Sequence, residues 1–274
     1  MTLFQAIILG IFQGISEFLP ISSSGHLVLL QSFFGITEGT VFFTVMLHFG
    51  SLASIIIFYH KDVYKLVVEF FKMIGDLFKG KGLRVNNEYR KLDMLLIIGS
   101  IPTALMGFLL KDFFEGLYSS IISVAIALIV TGFILMISEK MATGKKNITG
   151  FKYIDAIIIG ILQGVAITPG ISRSGSTIVG GLLVGLNKEL ATKFSFFLAL
   201  PSIFGATLLK IGEAFSGGGA VLNAPIIIGT VISTIVGLFA IQFLITMLKK
   251  GKLYYFSFYL WILGGVIIVL NLFK

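Results

Sequence analysis

The chain has 274 residues, 56% of them apolar and only 12% charged, and its mean hydropathy is +1.01. A water-soluble domain carries about 25% charged residues, so this chain lacks the polar side chains to cover a solvated surface, and its aliphatic and aromatic content excludes disorder, collagen and coiled coil. Absence of cysteine excludes disulfides and thiolate metal sites, and in a membrane protein the net charge of +8 reads as basic cytoplasmic loops, with no nucleic-acid partner implied.

From the N-terminus, residues 1–34 form an apolar region broken in the middle by Pro20 and the Ser22–Ser24 run. A signal peptide is a poor reading, because a basic leading segment is missing and Glu17 lies inside. Uncharged stretches at 40–59, 94–110 and 116–138 predict three spans, each supplying most of the ~20 apolar residues a bilayer crossing needs. The segment 60–93 reads as a basic loop. A second broken region follows at 153–187, and further spans are predicted at 194–209, 214–248 and 253–273, with an external turn near 211–221. Tyr254, Tyr255, Tyr259 and Trp261 gather at one end of the last span, as interfacial aromatics do.

The two broken regions are copies of one another. Residues 6–25 (AIILGIFQGISEFLPISSSG) align with 156–175 (AIIIGILQGVAITPGISRSG), and 11 of 20 positions are identical, including the Gln-Gly pair and the Ser-x-Ser-Gly run. The chain therefore reads as one membrane domain, 1–274, with repeat halves 1–138 and 151–274. Each half is one broken segment followed by three spans, an odd number, so the second copy enters the membrane from the opposite side. Interrupted backbone at membrane depth is tolerated only where protein buries it or it lines a wet cavity. The expected fold is all-α: six transmembrane helices plus two re-entrant helix–loop–helix hairpins in an inverted-topology repeat. Gly10/Gly14 and Gly160/Gly164 fit small-xxx-small packing.

Charge sets the orientation. With the N-terminus outside, 17 Lys/Arg collect on the inner side and three (Lys111, Lys210, Lys274) on the outer, with Arg173 left at membrane depth. This positive-inside bias puts both termini outside.

Glu17 and Arg173 are the two charges deep in apolar segments, each costing about 2.5–3.5 kcal/mol at the bilayer centre. A polar pocket between the repeats resolves that cost, and a purely structural ion pair is the plainer alternative. Around them stand Gln13, Ser16, Ser22, Ser23, Ser24 and His26 in the first region, and Gln163, Thr168, Ser172, Ser174, Ser176 and Thr177 in the second. A Ser-rich loop opening a helix aims backbone N–H groups and the helix dipole at an anion, and Arg173 adds a planar fork suited to phosphate. Glu17 beside a diphosphate suggests a bridging divalent metal or acid–base work. His26 closes the Ser-Ser-Ser-Gly-His run and is a candidate base or nucleophile, whereas His48 and His60 read as structural.

These segments resemble a known family. GISEFLPISSSGHL from Gly14 and PGISRSGST at 169–177 look like the two signatures of the undecaprenyl-diphosphate phosphatases, the bacitracin-resistance family, and length and motif separation agree. The resemblance implies a multi-pass enzyme of the bacterial cytoplasmic membrane. It removes the terminal phosphate of the prenyl-diphosphate lipid carrier, with a divalent cation (Mg2+ or Ca2+), and so regenerates the monophosphate for cell-wall peptidoglycan synthesis. It implies catalytic roles for Glu17, His26, Arg173 and Ser23, with Glu17 also the metal ligand. Substrate binding falls to Gln13, Ser22, Ser24, Ser172, Ser174 and Thr177. Gln13 stands where the family has Glu or Gln, so one carboxylate is missing. His26, Ser23 and water remain alternative nucleophiles. The expected partners are the prenyl diphosphate, membrane lipid and a second copy of the chain. A secondary transporter or lipid flippase is the competing class, since the repeat suits it equally.

Overall fold

The computed structural model describes residues 1–36, 40–141, 144–216 and 222–273. Within them lie twelve helices and no strand, apart from an isolated bridge between Lys146 and Leu186. The first broken region is α1 (Leu3–Phe18) and α2 (Ser23–Phe33), followed by α3 (Thr40–Phe58), α4 (His60–Phe78), α5 (Glu88–Leu109), α6 (Lys111–Tyr118) and α7 (Ile121–Met141). The second is α8 (Tyr153–Val165) and α9 (Arg173–Leu183), followed by α10 (Lys188–Ser216), α11 (Ala224–Lys249) and α12 (Tyr254–Leu272). Helices α3, α5, α7, α10, α11 and α12 are each long and apolar enough to cross a membrane, so the chain is a multi-pass membrane protein.

Two sequence expectations need correction. The segment 60–93 is not simply a loop, because 60–78 forms α4. Val63, Leu66, Val67, Phe70, Ile74 and Leu77 recur at helical spacing, and Leu66 and Met73 are buried. Arg90 at the start of α5 ties α4 down, reaching Glu69 at 2.9 Å and Asp76 at 2.8 Å. The break between the fourth and fifth spans is also displaced. Helix α10 starts at Lys188, before the predicted 194, and runs to Ser216. The predicted turn at 211–221 thus overlaps the end of a helix, and its residues 217–221 lie outside those described. Asn223 caps α11 by accepting from the Ile226 N–H at 3.1 Å, with Pro225 in the first turn, where its missing donor costs nothing.

The two aligned segments pack on different helices. Helix α1 packs along α11, and its counterpart α8 packs along α5. The glycines make this close approach: a Cβ on Gly10 would sit 2.6 Å from the Gly229 carbonyl oxygen, and one on Gly160 would collide with that of Gly99. Repeat-matched glutamines make matched bonds. Gln13 Nε2 donates to Ser51 on α3 at 3.2 Å, and Gln163 Nε2 donates to Ser202 on α10 at 3.2 Å. Ser51 also pairs with Ser233 at 3.1 Å, the hydroxyl-mediated helix contact expected where no hydrophobic force separates protein from lipid.

Candidate active site

The chain breaks between α1 and α2 at Leu19–Ser22 and between α8 and α9 at 166–172, and the two breaks meet. Pro20 cannot donate within a helix, and the backbone then turns through Ser22 at φ 68°, among the described residues the only non-glycine with positive φ. Such a conformation is strained and marks functional turns. In the second break Gly170 holds φ +96°, where a Cβ would lie 2.5 Å from the Val124 carbonyl oxygen. Thr131 on α7 clamps this loop: its hydroxyl donates to the Gly170 carbonyl at 3.0 Å and accepts from the Ser172 N–H at 3.1 Å. Ser174 donates across the junction to the Leu19 carbonyl at 3.3 Å.

Each new helix opens on a serine cap. Ser22 accepts from the Gly25 N–H at 3.2 Å and Ser172 from the Gly175 N–H at 3.1 Å. The first residues of α2 and α9 therefore present helix N-termini around the junction, where the dipole favours negative charge.

Glu17, with 2% of its side chain exposed, is the centre of the cluster. Its Oε1 receives Arg173 Nη2 at 2.5 Å, and its Oε2 receives the Ser23 hydroxyl at 2.5 Å and Gln13 Nε2 at 3.0 Å. His48 Nε2 stands 3.7 Å from the same Oε2, while its Nδ1 donates to the Thr44 carbonyl at 2.8 Å. Beside them lies a cavity of about 150 Å³ lined by Glu17, Ser23, Ser24, Ser172 and Arg173, with Ser16, His48 and Tyr118. A planar guanidinium, several hydroxyls and two helix N-termini around one small cavity suit a phosphate-sized anion.

Not every residue singled out in the sequence reaches this cavity. Gln13 is fully buried behind Glu17. Ser22 serves as a cap. Ser174 bonds Ser172 and Leu19, and Thr177 bonds the Arg173 carbonyl and Ser195, so neither lines the cavity. His26 is also apart. It donates Nδ1–H to the Ser22 carbonyl at 2.8 Å, which leaves Nε2 to accept from the Tyr259 hydroxyl at 2.6 Å. Its ring lies between Phe12 and Tyr259. Tyr259, read from the sequence as an interfacial aromatic, thus points inward to a histidine. Conversely His48, read as structural, faces Glu17. Its signal was available: a histidine inside an otherwise uncharged apolar span is expensive without a polar partner. Tyr118 and Thr131 carried no such signal.

Among the described residues no group of three His, Asp or Glu side chains could hold a metal by itself. The donors that line the cavity are hard oxygens, the Glu17 carboxylate and the hydroxyls of Ser23, Ser24 and Ser172. That set fits a magnesium- or calcium-like ion completed by phosphate oxygens.

A family model described as bacitracin resistance protein BacA matches residues 6–266 of the chain. The "Undecaprenyl-diphosphatase" of Alkaliphilus metalliredigens is 49% identical over 274 residues, covering 99% of this chain and all of that protein. That of Halothermothrix orenii is 45% identical, covering 98% of each. "Undecaprenyl-diphosphatase 4" of Bacillus thuringiensis strain Al Hakam is 40% identical, covering 97% of this chain and 96% of its own.

Proposed function

Because the chain belongs to the bacitracin resistance protein BacA family, we infer that it is a membrane phosphatase hydrolysing undecaprenyl diphosphate to the monophosphate and phosphate, recycling the lipid carrier for cell-wall synthesis. The observation that carries the assignment to this cavity is the Arg173–Glu17–Ser23 chain, two contacts of 2.5 Å about a carboxylate with 2% of its side chain exposed.

The diphosphate enters between the two helix breaks with its prenyl tail in lipid. Arg173, Ser24, Ser172 and the N–H groups opening α2 and α9 hold its oxygens and stabilise the charge that spreads over them in phosphoryl transfer. Ser23 attacks the terminal phosphorus. Its proton passes to Glu17, the P–O bond to the bridging oxygen breaks, and undecaprenyl phosphate leaves as an anion that needs no proton. Water then hydrolyses the phosphoserine, with Glu17 carrying the proton back to Ser23. Gln13, Ser22, Ser174 and Thr177 position these groups, and His26 braces α2 through Tyr259. Glu17 would hold a divalent cation, Mg2+ or Ca2+. When bound, the cation supplies neutralisation of the charge on the phosphates.

The same reading takes the two helix breaks as re-entrant hairpins and the halves as an inverted-topology repeat in a single domain, with both termini outside and α4 on the cytoplasmic face. The exchanged packing of α1 on α11 and α8 on α5, and the matched bonds of Gln13 and Gln163, support the repeat, and the distribution of Lys and Arg supports the orientation. An inverted repeat also suits a transporter, and one measurement separates the two: purified protein should release inorganic phosphate from undecaprenyl diphosphate, and Ser23→Ala should abolish the release. Binding without release would favour transport.

A further inference from the structure

We propose that a second cavity, walled by α4, α5 and α10, binds a neutral long-chain lipid that ends in a hydroxyl group. The cavity has a volume of about 600 Å³, within the range of ligand-binding pockets. Its walls are apolar, with Leu66 and Phe70 from α4, Leu96 from α5, and Phe197 and Leu200 from α10. Its rim carries Val67, Phe71, Ile97 and Phe204, all exposed. In a membrane that rim meets hydrocarbon, so whatever enters comes from the lipid phase.

One feature does not suit a plain acyl chain. Asp93 lines the cavity and is only 6% exposed, and its Oδ2 is buried without a hydrogen-bond partner. A buried acceptor left unmade is costly, and the nearby cations are committed elsewhere: Arg90 to Glu69 and Asp76, and Lys193 to Asp62 at 2.8 Å. Asp93, Leu96, Ile97 and Ser100 fall at i, i+3, i+4 and i+7, one stripe of α5 that runs along the cavity. Ser100 donates to the Leu96 carbonyl at 2.7 Å, and its oxygen can still accept a bond.

These groups select the ligand's polar end. A phosphate-bearing lipid finds no uncommitted cation in the wall and is repelled by the carboxylate. An alkylammonium brings a second charge into an apolar space, where an ion pair barely offsets its desolvation. A hydroxyl stays neutral, donates to Asp93 when that is ionised and accepts from it when it is protonated. The cavity would therefore prefer an unphosphorylated chain, the reverse of the Glu17–Arg173 cavity, with which it shares no lining residue. A prenol and a diacylglycerol both offer this chemistry.

The test uses the full chain in nanodiscs with a photoactivatable long-chain alcohol. Crosslinks are expected in peptides spanning 63–71 and 93–100. Excess unlabelled alcohol should compete, while the alkane of equal length and the alkyl phosphate should not. Competition by prenol or by diacylglycerol identifies the source. Asp93→Leu should lower labelling about tenfold, equivalent to one hydrogen bond to a charged group. Asp93→Asn, which keeps a carbonyl acceptor, should fall between. Phosphatase activity should be unchanged in both, which also reports a folded chain. Equal labelling by alcohol and alkane, unaffected by Asp93→Leu, would overturn the proposal. If Asp93→Leu loses phosphatase activity as well, the competition series on the parent decides, and failure of the alcohol to compete refutes the site.

Discussion

Arg173→Ala separates a structural ion pair from a phosphate-binding one, because the two predict different pairs of losses. Removing one partner of a fully buried pair costs about 3–5 kcal/mol, since the other charge is left uncompensated. Here the Arg173 side chain is 21% exposed towards the cavity, and Glu17 keeps its bonds from Ser23 and Gln13, so a cost of about 2 kcal/mol is the reasoned value. At roughly 2–4 °C per kcal/mol for chains of 150–250 residues, the unfolding midpoint in detergent should drop by about 4–8 °C. Activity should drop much further, by about 10²–10³ in kcat, the usual penalty for deleting one donor to transition-state charge. Arg173→Lys restores a cation beside Glu17 but not the two-pronged fork. It should recover most of the midpoint while phosphate release stays at least about tenfold down. Both readouts come from one preparation, by thermal unfolding and by phosphate release from undecaprenyl diphosphate. A lysine variant that recovers stability and activity in parallel would make the pair structural. An alanine variant turning over within twofold of the parent would move the chemistry elsewhere.

Ser23→Ala should abolish turnover whereas His26→Phe should keep a measurable fraction, and acid-quenched protein should carry phosphate on Ser23; label on His26 would reverse the assignment. Glu17→Gln should slow release by about 10²–10⁴, the range for a lost general base, and shift the response to Mg2+ or Ca2+; an unchanged metal response would remove Glu17 as ligand. In the α4–α5 link, hydrogen bonds from Lys72, Asn87 and Arg90 hold the Glu69 carboxyl down to about 2. A depressed acid stabilises the fold above its unfolded value and loses that contribution as pH falls through the folded one, so hydrogen-exchange protection of α4 should weaken between about pH 4.5 and 2; protection flat across that window would show that the ion pairs do not hold α4. For topology, an impermeant thiol reagent on intact cells should label Leu222→Cys but not Asn86→Cys in this cysteine-free chain, and the reverse pattern would invert the orientation.

Membrane character and the number of helices long and apolar enough to cross a membrane were legible in the sequence, because they rest on composition and on local runs of apolar residues. So was the pairing of Glu17 with Arg173: two charges too costly to leave alone in apolar segments have few places to go. The amphipathic helix α4 was legible in principle, from its apolar spacing, but its charged residues (Lys61, Asp62, Lys65, Glu69, Lys72 and Asp76) masked it as a loop. That His48 needs a polar partner was legible, but that this partner is Glu17 was not. His26 sits in the signature run and His48 in a plain span, and sequence distance favours the former. Only the packing of α3 against α1 sets His48 beside Glu17, and only α12, more than two hundred residues on, brings Tyr259 to occupy His26. The serines divide in the same way. Composition marks them all as polar groups near a helix start, but whether a hydroxyl caps the helix, bonds the opposite break or faces the cavity depends on the turn at Ser22 and on the clamp from Thr131. Those are long-range steric constraints, which local sequence patterns do not encode.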